Sequence, residues 1–136
     1  MKIVFLFLLS TLFLFSCNNK DTKRPQTAMD TGRAFIRASL DGDFTVAESL
    51  LLKDTQNVQL FESYKSFYGR LPANEKNNYK TASYEINKYL DVDDSTAIIN
   101  YSNSFMQKPL EIKLVRNNKT WWVDFKYTSA GNVPIQ

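Results

Sequence analysis

The sequence predicts an α+β domain in which three N-terminal helices pack on a curved four-stranded antiparallel sheet. Two patterns support this prediction. From about residue 29 to residue 71, apolar residues recur at steps of three and four, which is the spacing of helices. From Thr81 onward, apolar and polar residues alternate in successive runs, which is typical of strands joined as a meander.

Residues 1–16 predict a secretory signal peptide. Lys2 provides a positive charge, and the run 3–15 contains only Ser10 and Thr11 as polar residues. The run is too short for a membrane-spanning helix, which needs about 20 residues, but it fits the apolar segment of a signal peptide. A buried helix of the folded domain is the alternative, and the charge before the run and the polar residues after it argue against that alternative.

The signal peptide ends in Leu14-Phe15-Ser16-Cys17, which resembles a bacterial lipobox. The resemblance implies that the sulfur of Cys17 receives a diacylglyceryl group and that the signal peptide is cut just before this residue. Cys17 is the only cysteine, so no intrachain disulfide can form. We therefore expect a cell-envelope lipoprotein that lipid on Cys17 holds in the membrane.

The segment 17–27 contains the lipidated cysteine and a polar stretch without large apolar residues, which predicts a flexible tether. Asn18 follows the cysteine where aspartate could stand, and in many Gram-negative lipoproteins this goes with sorting to the outer membrane. The expected location is therefore the outer membrane, on either its periplasmic or its surface side.

Residues 28–130 have the length of one domain, and 131–136 form a C-terminal tail. Loss of the signal peptide removes one lysine from the seventeen basic side chains, which leaves sixteen against fourteen acidic ones. The two signs are interspersed along the chain. This pattern predicts no nucleic-acid partner, because nucleic-acid binding needs a basic stripe or patch.

Three helices are predicted in the first half of the domain. Gly42 should end the first helix, because glycine readily adopts the left-handed conformation found there. Pro72 should stop the third, and Ala73 to Lys80 is predicted to be a connection with at most one helical turn. In order, the helices are Met29 to Leu40, a segment capped by Asp43 with Val46, Ala47, Leu50 and Leu51 as its apolar stripe, and a segment from Asp54 or Thr55 to Leu71.

Four strands are predicted in the second half of the domain. If Asn117-Asn118 forms a two-residue hairpin loop, Leu114 faces Trp121. Trp121 then points into the core, whereas Trp122 points outward on a solvated face. The predicted strands are Ser83–Val92, Thr96–Phe105, Leu110–Arg116 and Thr120–Tyr127.

This arrangement resembles the nuclear transport factor two-like superfamily of cone-shaped domains, and more narrowly its small bacterial lipoproteins of unassigned function. The resemblance extends over about 30–127 and consists mostly of packing residues. The fold hosts both enzymes and binding modules, so it implies no single function. The matching residues are Phe35, Leu40, Gly42-Asp43 and Ala47 in the helical half, and Trp121, Val123 and Asp124 in the last strand.

The resemblance implies a ligand pocket between the helices and the concave face of the sheet. Lys88 alternates onto the same strand face as Tyr84, so a ligand there could be apolar or anionic. Alternatively, the tyrosines are core residues with hydroxyls at the rim, and Lys88 reaches solvent directly or through a bulge. The candidate pocket residues are Tyr64, Tyr68, Tyr84, Lys88 and Tyr101.

The sequence lacks the usual residues of nucleophilic and metal catalysis. It contains no histidine, so it predicts no Ser-His-Asp or Cys-His arrangement, no metal and no cofactor. Two functions stay open. The first is a non-catalytic domain that binds a small ligand or a partner protein of the envelope. The second is a small isomerase or hydrolase that uses the pocket, although Glu85, Glu111 and Asp124 are all predicted to face outward.

Overall fold

The structure is a computed structural model that describes residues 23–129; the signal peptide, Cys17 and the tail 131–136 lie outside this range. Four helices precede a four-stranded sheet and a short fifth helix follows it. In chain order, the elements are α1 (Ala28–Asp41), α2 (Phe44–Ser49), α3 (Thr55–Arg70), α4 (Ala73–Thr81), β1 (Tyr84–Asp93), β2 (Thr96–Asn103), β3 (Leu110–Asn117), β4 (Thr120–Asp124) and α5 (Phe125–Ser129).

The strands form one antiparallel sheet in the order β1-β2-β3-β4. The α+β class and the meander are therefore confirmed, but the predicted number of three helices is wrong. The two unpredicted helices are α4 and α5. Both depend on contacts between residues that are distant in sequence.

Short polar side chains cap the first three helices. Thr27, Asp43 and Asp54 each accept a hydrogen bond from the backbone N–H three residues further on. Gly42 ends α1 in the left-handed conformation, with φ of 71°. Helix α2 is shorter than its predicted apolar stripe, and Val46 on it is exposed rather than buried.

Helix α4 contradicts the predicted connection. It has no apolar stripe of buried residues, and no side chain caps its N-terminus. Arg37 of α1 instead stabilises its C-terminal end, because the guanidinium donates to the carbonyls of Lys80 and Ala82 at 3.0 Å each. Tyr79 packs edge-on against Phe105, with 4.8 Å between ring centroids.

The hairpin between β3 and β4 differs from the prediction in its loop. The loop is Asn118-Lys119, and both residues have positive φ, as a type I′ turn requires. Leu114 pairs with Val123, two residues beyond the predicted partner Trp121. Because a shift of two residues preserves the face of every side chain, Trp121 still packs against the core and Trp122 still lies on the opposite face.

The core lies between the helices and the inner face of the sheet. Phe35 of α1, Phe61 of α3 and Phe125 of α5 are buried together, with ring centroids 5.2 to 6.2 Å apart. Each such buried side chain contributes about 1.5–3 kcal/mol of hydrophobic stabilisation. The inner face of the sheet completes the core with Ala97, Ile99, Ile112, Leu114 and Val123.

The segment after α2 covers the β4 edge of the sheet. The backbone of Val123 donates to the carbonyl of Leu50 and accepts from the N–H of Leu52, each at 2.9 Å. This pairing satisfies backbone N–H and C=O groups of the edge strand β4 that could otherwise pair with a strand of another chain. It also explains why Leu50 and Leu51 are buried although they lie beyond the end of α2.

The two glycines Gly42 and Gly69 provide a matched test of this fold. Gly42→Ala should destabilise the domain by about 1–2 kcal/mol, because alanine disfavours the left-handed conformation and its Cβ would lie 2.9 Å from the hydroxyl of Tyr68. Gly69→Ala should stabilise it by about 0.5–1 kcal/mol, since Gly69 lies inside α3 with nothing within 4 Å of an added Cβ. Urea unfolding measures the free energy of unfolding of both variants. Equal changes would contradict the left-handed conformation assigned to Gly42.

Candidate ligand cavity

A cavity of about 90 Å³ lies between the helices and the inner face of the sheet. On the same scale, one water molecule needs about 10–15 Å³. Helices α1, α3, α4 and α5 and strands β2 and β3 all contribute to its wall. Aromatic side chains dominate the lining and include Phe35, Phe67, Phe125, Tyr64, Tyr68, Tyr79 and Tyr101.

Three of the predicted site residues meet at this cavity. Tyr64 and Tyr68 reach it from α3, and Tyr101 reaches it from β2. Tyr84 packs against the edge of the core, but it lines a separate, more polar depression with Ser83 and Glu85. Thus Tyr84 does not contribute to the cavity wall.

Lys88 also lies away from the cavity, and its side chain is exposed. A bulge at Asn87 displaces the alternation of β1 between Ile86 and Lys88, so Lys88 pairs with Asn100 on the outer face. The amide of Asn87 donates to Asn100 Oδ1 at 2.9 Å and to Ser102 Oγ at 2.7 Å, which stabilises the bulge. Lys88 is the basis for expecting an anionic ligand, but in the described part of the chain no lysine or arginine lines the cavity.

Two buried hydroxyls in the cavity wall were not predicted. Ser39 of α1 is 9% exposed and Thr128 of α5 is 5% exposed, and both line the cavity. Neither Ser39 Oγ nor Thr128 Oγ1 has a hydrogen-bond partner among residues 23–129. Unpaired buried hydroxyls are uncommon and unfavourable, so a ligand or an ordered water is expected to pair with each of these groups.

The tyrosine hydroxyls add neutral hydrogen-bonding groups to the same wall. Burial raises the pKa of both Tyr64 and Tyr101 well above the usual range, and neighbouring tyrosines add to the effect. Both phenols therefore stay protonated at physiological pH and can donate. The cavity as a whole offers apolar surface with a few uncharged polar atoms, which suits a neutral molecule better than an ion.

Asn57 positions the helix that carries Thr128. Its side chain is fully buried; Oδ1 accepts from the backbone N–H of Lys126, and Nδ2 donates to Asp54 Oδ2, both at 2.8 Å. The Nζ of Lys126 lies 2.7 Å from the same Asp54 carboxylate, and this hydrogen bond lowers the pKa of Asp54. These bonds end β4 at Asp124, so the predicted strand to Tyr127 is wrong in its last residues.

Among residues 23–129, no carboxylate lines this cavity. Glu111 lies on the outer face, where it accepts hydrogen bonds from Asn100 and Tyr127. Within the described part of the chain, no three histidine, cysteine or acidic residues converge as a metal site would require. None of the helices between residues 23 and 129 combines the length and the apolar character needed to cross a bilayer.

Comparisons of the chain with protein-family models, with curated proteins and with solved structures found no match. The cavity and the sequence around Cys17 are therefore the features of the chain that bear on its function.

Sequence reasoning could have found Ser39 but not Thr128. Ser39 follows Phe35 by four residues, so a serine interrupts the apolar face of a predicted helix. Thr128 lies beyond the predicted strands, in a segment whose helical structure depends on Asn57.

A pair of threonine variants tests whether the Thr128 hydroxyl lacks a protein partner. Thr31 is equally buried, but its hydroxyl donates to the carbonyl of Thr27 at 2.8 Å. Thr31→Val should destabilise the domain by about 1 kcal/mol, whereas Thr128→Val should be neutral or stabilising. Urea unfolding of both variants measures the difference, and a similar loss for Thr128→Val would show that its hydroxyl is paired in the folded protein.

Proposed function

We propose that this protein is a lipid-anchored protein of a bacterial cell envelope whose domain binds a small, neutral, largely apolar ligand. The observation that carries the proposal is the aromatic cavity with two unpaired hydroxyls in its wall, those of Ser39 and Thr128. A ligand hydroxyl or carbonyl would pair with these groups. The ligand's apolar part would contact the aromatic rings.

The cavity volume limits the size of the ligand. An engineered apolar cavity of about 150 Å³ binds benzene in another protein, and the present cavity of about 90 Å³ is smaller. It therefore suits a small molecule or one end of a longer one. Tyr64, Tyr68 and Tyr101 provide the flat apolar walls, with phenol groups as donors.

We further propose that the domain belongs to the nuclear transport factor two-like superfamily, located at the outer membrane. The packing of helices on one face of an antiparallel meander supports the family proposal, as does a cavity between the two layers. The lipobox-like sequence at Cys17 and the Asn18 that follows it support the location.

Ligand binding is better supported than catalysis. An isomerase-like reaction needs a base close to the substrate, and carboxylates usually fill this role where histidine is lacking. Among residues 23–129 no carboxylate lines the cavity, and Glu111, one of the three strand carboxylates predicted to face outward, is hydrogen-bonded on the outer face.

Native mass spectrometry of the mature protein, purified from its own envelope under mild conditions, tests the ligand proposal. The wild type should carry an additional mass that denaturation releases. Ser39→Leu, which fills the cavity, should lack this mass, whereas Ser63→Leu on the exposed face of α3 should retain it. An adduct present on all three proteins, or on none, would contradict binding in this cavity.

The anchor proposal is tested separately with Cys17→Ser. Without the thiol no diacylglyceryl group can attach, so the precursor should stay uncleaved and should not incorporate radioactive palmitate. Labelling of the wild type and of the variant is compared on a gel. Palmitate incorporation that survives the substitution would contradict the assignment of Cys17.

A further inference from the structure

The outer face of the sheet carries an unusual apolar strip. We define the outer strip as Leu90 of β1, Ile98 of β2, Val115 of β3 and Trp122 of β4. The register places Leu90 opposite Ile98, and Val115 opposite Trp122. Ile98 pairs with Lys113, two residues from Val115, so the four side chains follow one diagonal across the sheet.

The outer strip is open to solvent. Leu90 is 46% exposed, and Ile98, Val115 and Trp122 are each partly exposed. Most of the helical layer covers the inner face. On the outer face, Tyr127 of α5 donates a hydrogen bond to Glu111, which is not part of the strip. A continuous apolar strip of this kind commonly marks a surface that contacts a protein or a membrane.

Arg24, near the start of the described residues, contacts the outer strip at Trp122. This contact indicates which partner the strip faces. The guanidinium of Arg24 lies 4.0 Å from the ring centroid of Trp122. Its two terminal nitrogens donate to the carbonyls of Ser49 at 2.8 Å and Trp121 at 3.3 Å. The tether therefore joins the domain at the β4 side of the outer strip.

The length of the tether brings the strip close to the bilayer. Cys17 precedes Arg24 by seven residues, and seven residues span at most about 25 Å when fully extended. If the acyl chains on Cys17 are inserted in the membrane, Arg24 and the Trp122 ring that it contacts lie within about 25 Å of the bilayer surface. The tether also raises the local concentration of the strip at the lipid surface to about the millimolar range, so even a weak contact is populated.

The charges around the strip favour contact of its β4 side, rather than its β1 side, with an anionic lipid surface. Lys23 and Arg24 lie there, and the carboxylate of Asp124 is within 3.8 Å of Lys113 Nζ. At the β1 side, Lys88 also lies on the outer face, but the exposed Asp91, Asp93 and Asp94 outnumber it, and an anionic lipid surface would repel them. Tryptophan and arginine are also the side chains that favour the interface between headgroups and acyl chains.

We propose that the outer strip rests on the membrane that holds Cys17, with Trp122 at headgroup level and the helical layer facing away. This orientation rests on the proposed lipid anchor. It keeps the cavity on the far side of the sheet from the bilayer. It also places Trp122 deeper in the headgroup region than Leu90, because an anionic lipid surface repels Asp93 and Asp94 at the β1 side.

The two tryptophans of the chain allow a direct test of this orientation. The lipidated protein is reconstituted in vesicles of phosphatidylcholine and phosphatidylglycerol, with part of the phosphatidylcholine carrying a nitroxide on its acyl chain. Trp121→Phe leaves Trp122 as the only reporter, and its fluorescence should fall by about half or more. Trp122→Phe leaves the inward Trp121, which should be quenched far less.

A second measurement covers the case in which Trp121→Phe folds poorly. Lipid occupies the only native thiol, so an introduced cysteine can be labelled selectively with a spin label. The label on Val115→Cys should become accessible to oxygen dissolved in the bilayer, whereas the label on Gln59→Cys, exposed on α3, should not.

Flotation of the vesicles separates the two proposals. If the protein floats with the vesicles but neither Trp122 nor the label at residue 115 contacts lipid, the orientation is overturned and the anchor stands. A protein that does not float would overturn the anchor, and the orientation with it.

Discussion

The shape of the cavity depends on the hydrogen bonds of the buried Asn57 side chain. A fully buried polar side chain is tolerated only when its hydrogen-bonding groups are paired. Asn57 meets this condition by joining Asp54, the cap of α3, to the backbone of Lys126. The chain leaves the sheet at this point and turns into α5. Without that turn, β4 would continue in the direction that its alternating sequence predicts.

The position of α5 has two opposite consequences for packing. Phe125 enters the aromatic core, where it contacts Phe35 and Phe61. One turn later, Thr128 lines the same cavity as Ser39, and neither hydroxyl has a hydrogen-bond partner among residues 23–129. The packing of Phe125 stabilises the domain, whereas the unpaired hydroxyls of Ser39 and Thr128 reduce its stability. Small domains retain such unpaired groups mainly where binding or chemistry requires them, because every buried hydroxyl without a partner is unfavourable.

Features that depend on local sequence could be predicted, and features that depend on distant contacts could not. Gly42 and Asp43 act through their own backbone conformation and neighbouring N–H groups, so the break between α1 and α2 was predictable. Helix α4 depends on Arg37, which lies 43 and 45 residues before its two acceptors. The family resemblance implied a pocket, and Tyr64, Tyr68 and Tyr101, which lie in regular elements, do line the cavity. The alternation predicted for β1 failed at Lys88 because a bulge reverses it.

The central claim is that the domain keeps an internal cavity open to a small apolar guest. Methyl NMR spectra recorded under increasing xenon pressure test it most directly, because xenon binds in apolar cavities of proteins. The methyl groups of Leu40, Met106 and Leu110, which line the cavity, should show saturable shifts. Leu114, fully buried elsewhere in the core, should show none. Unchanged cavity methyls, or equal shifts at Leu114, would show that the cavity does not admit a small apolar guest.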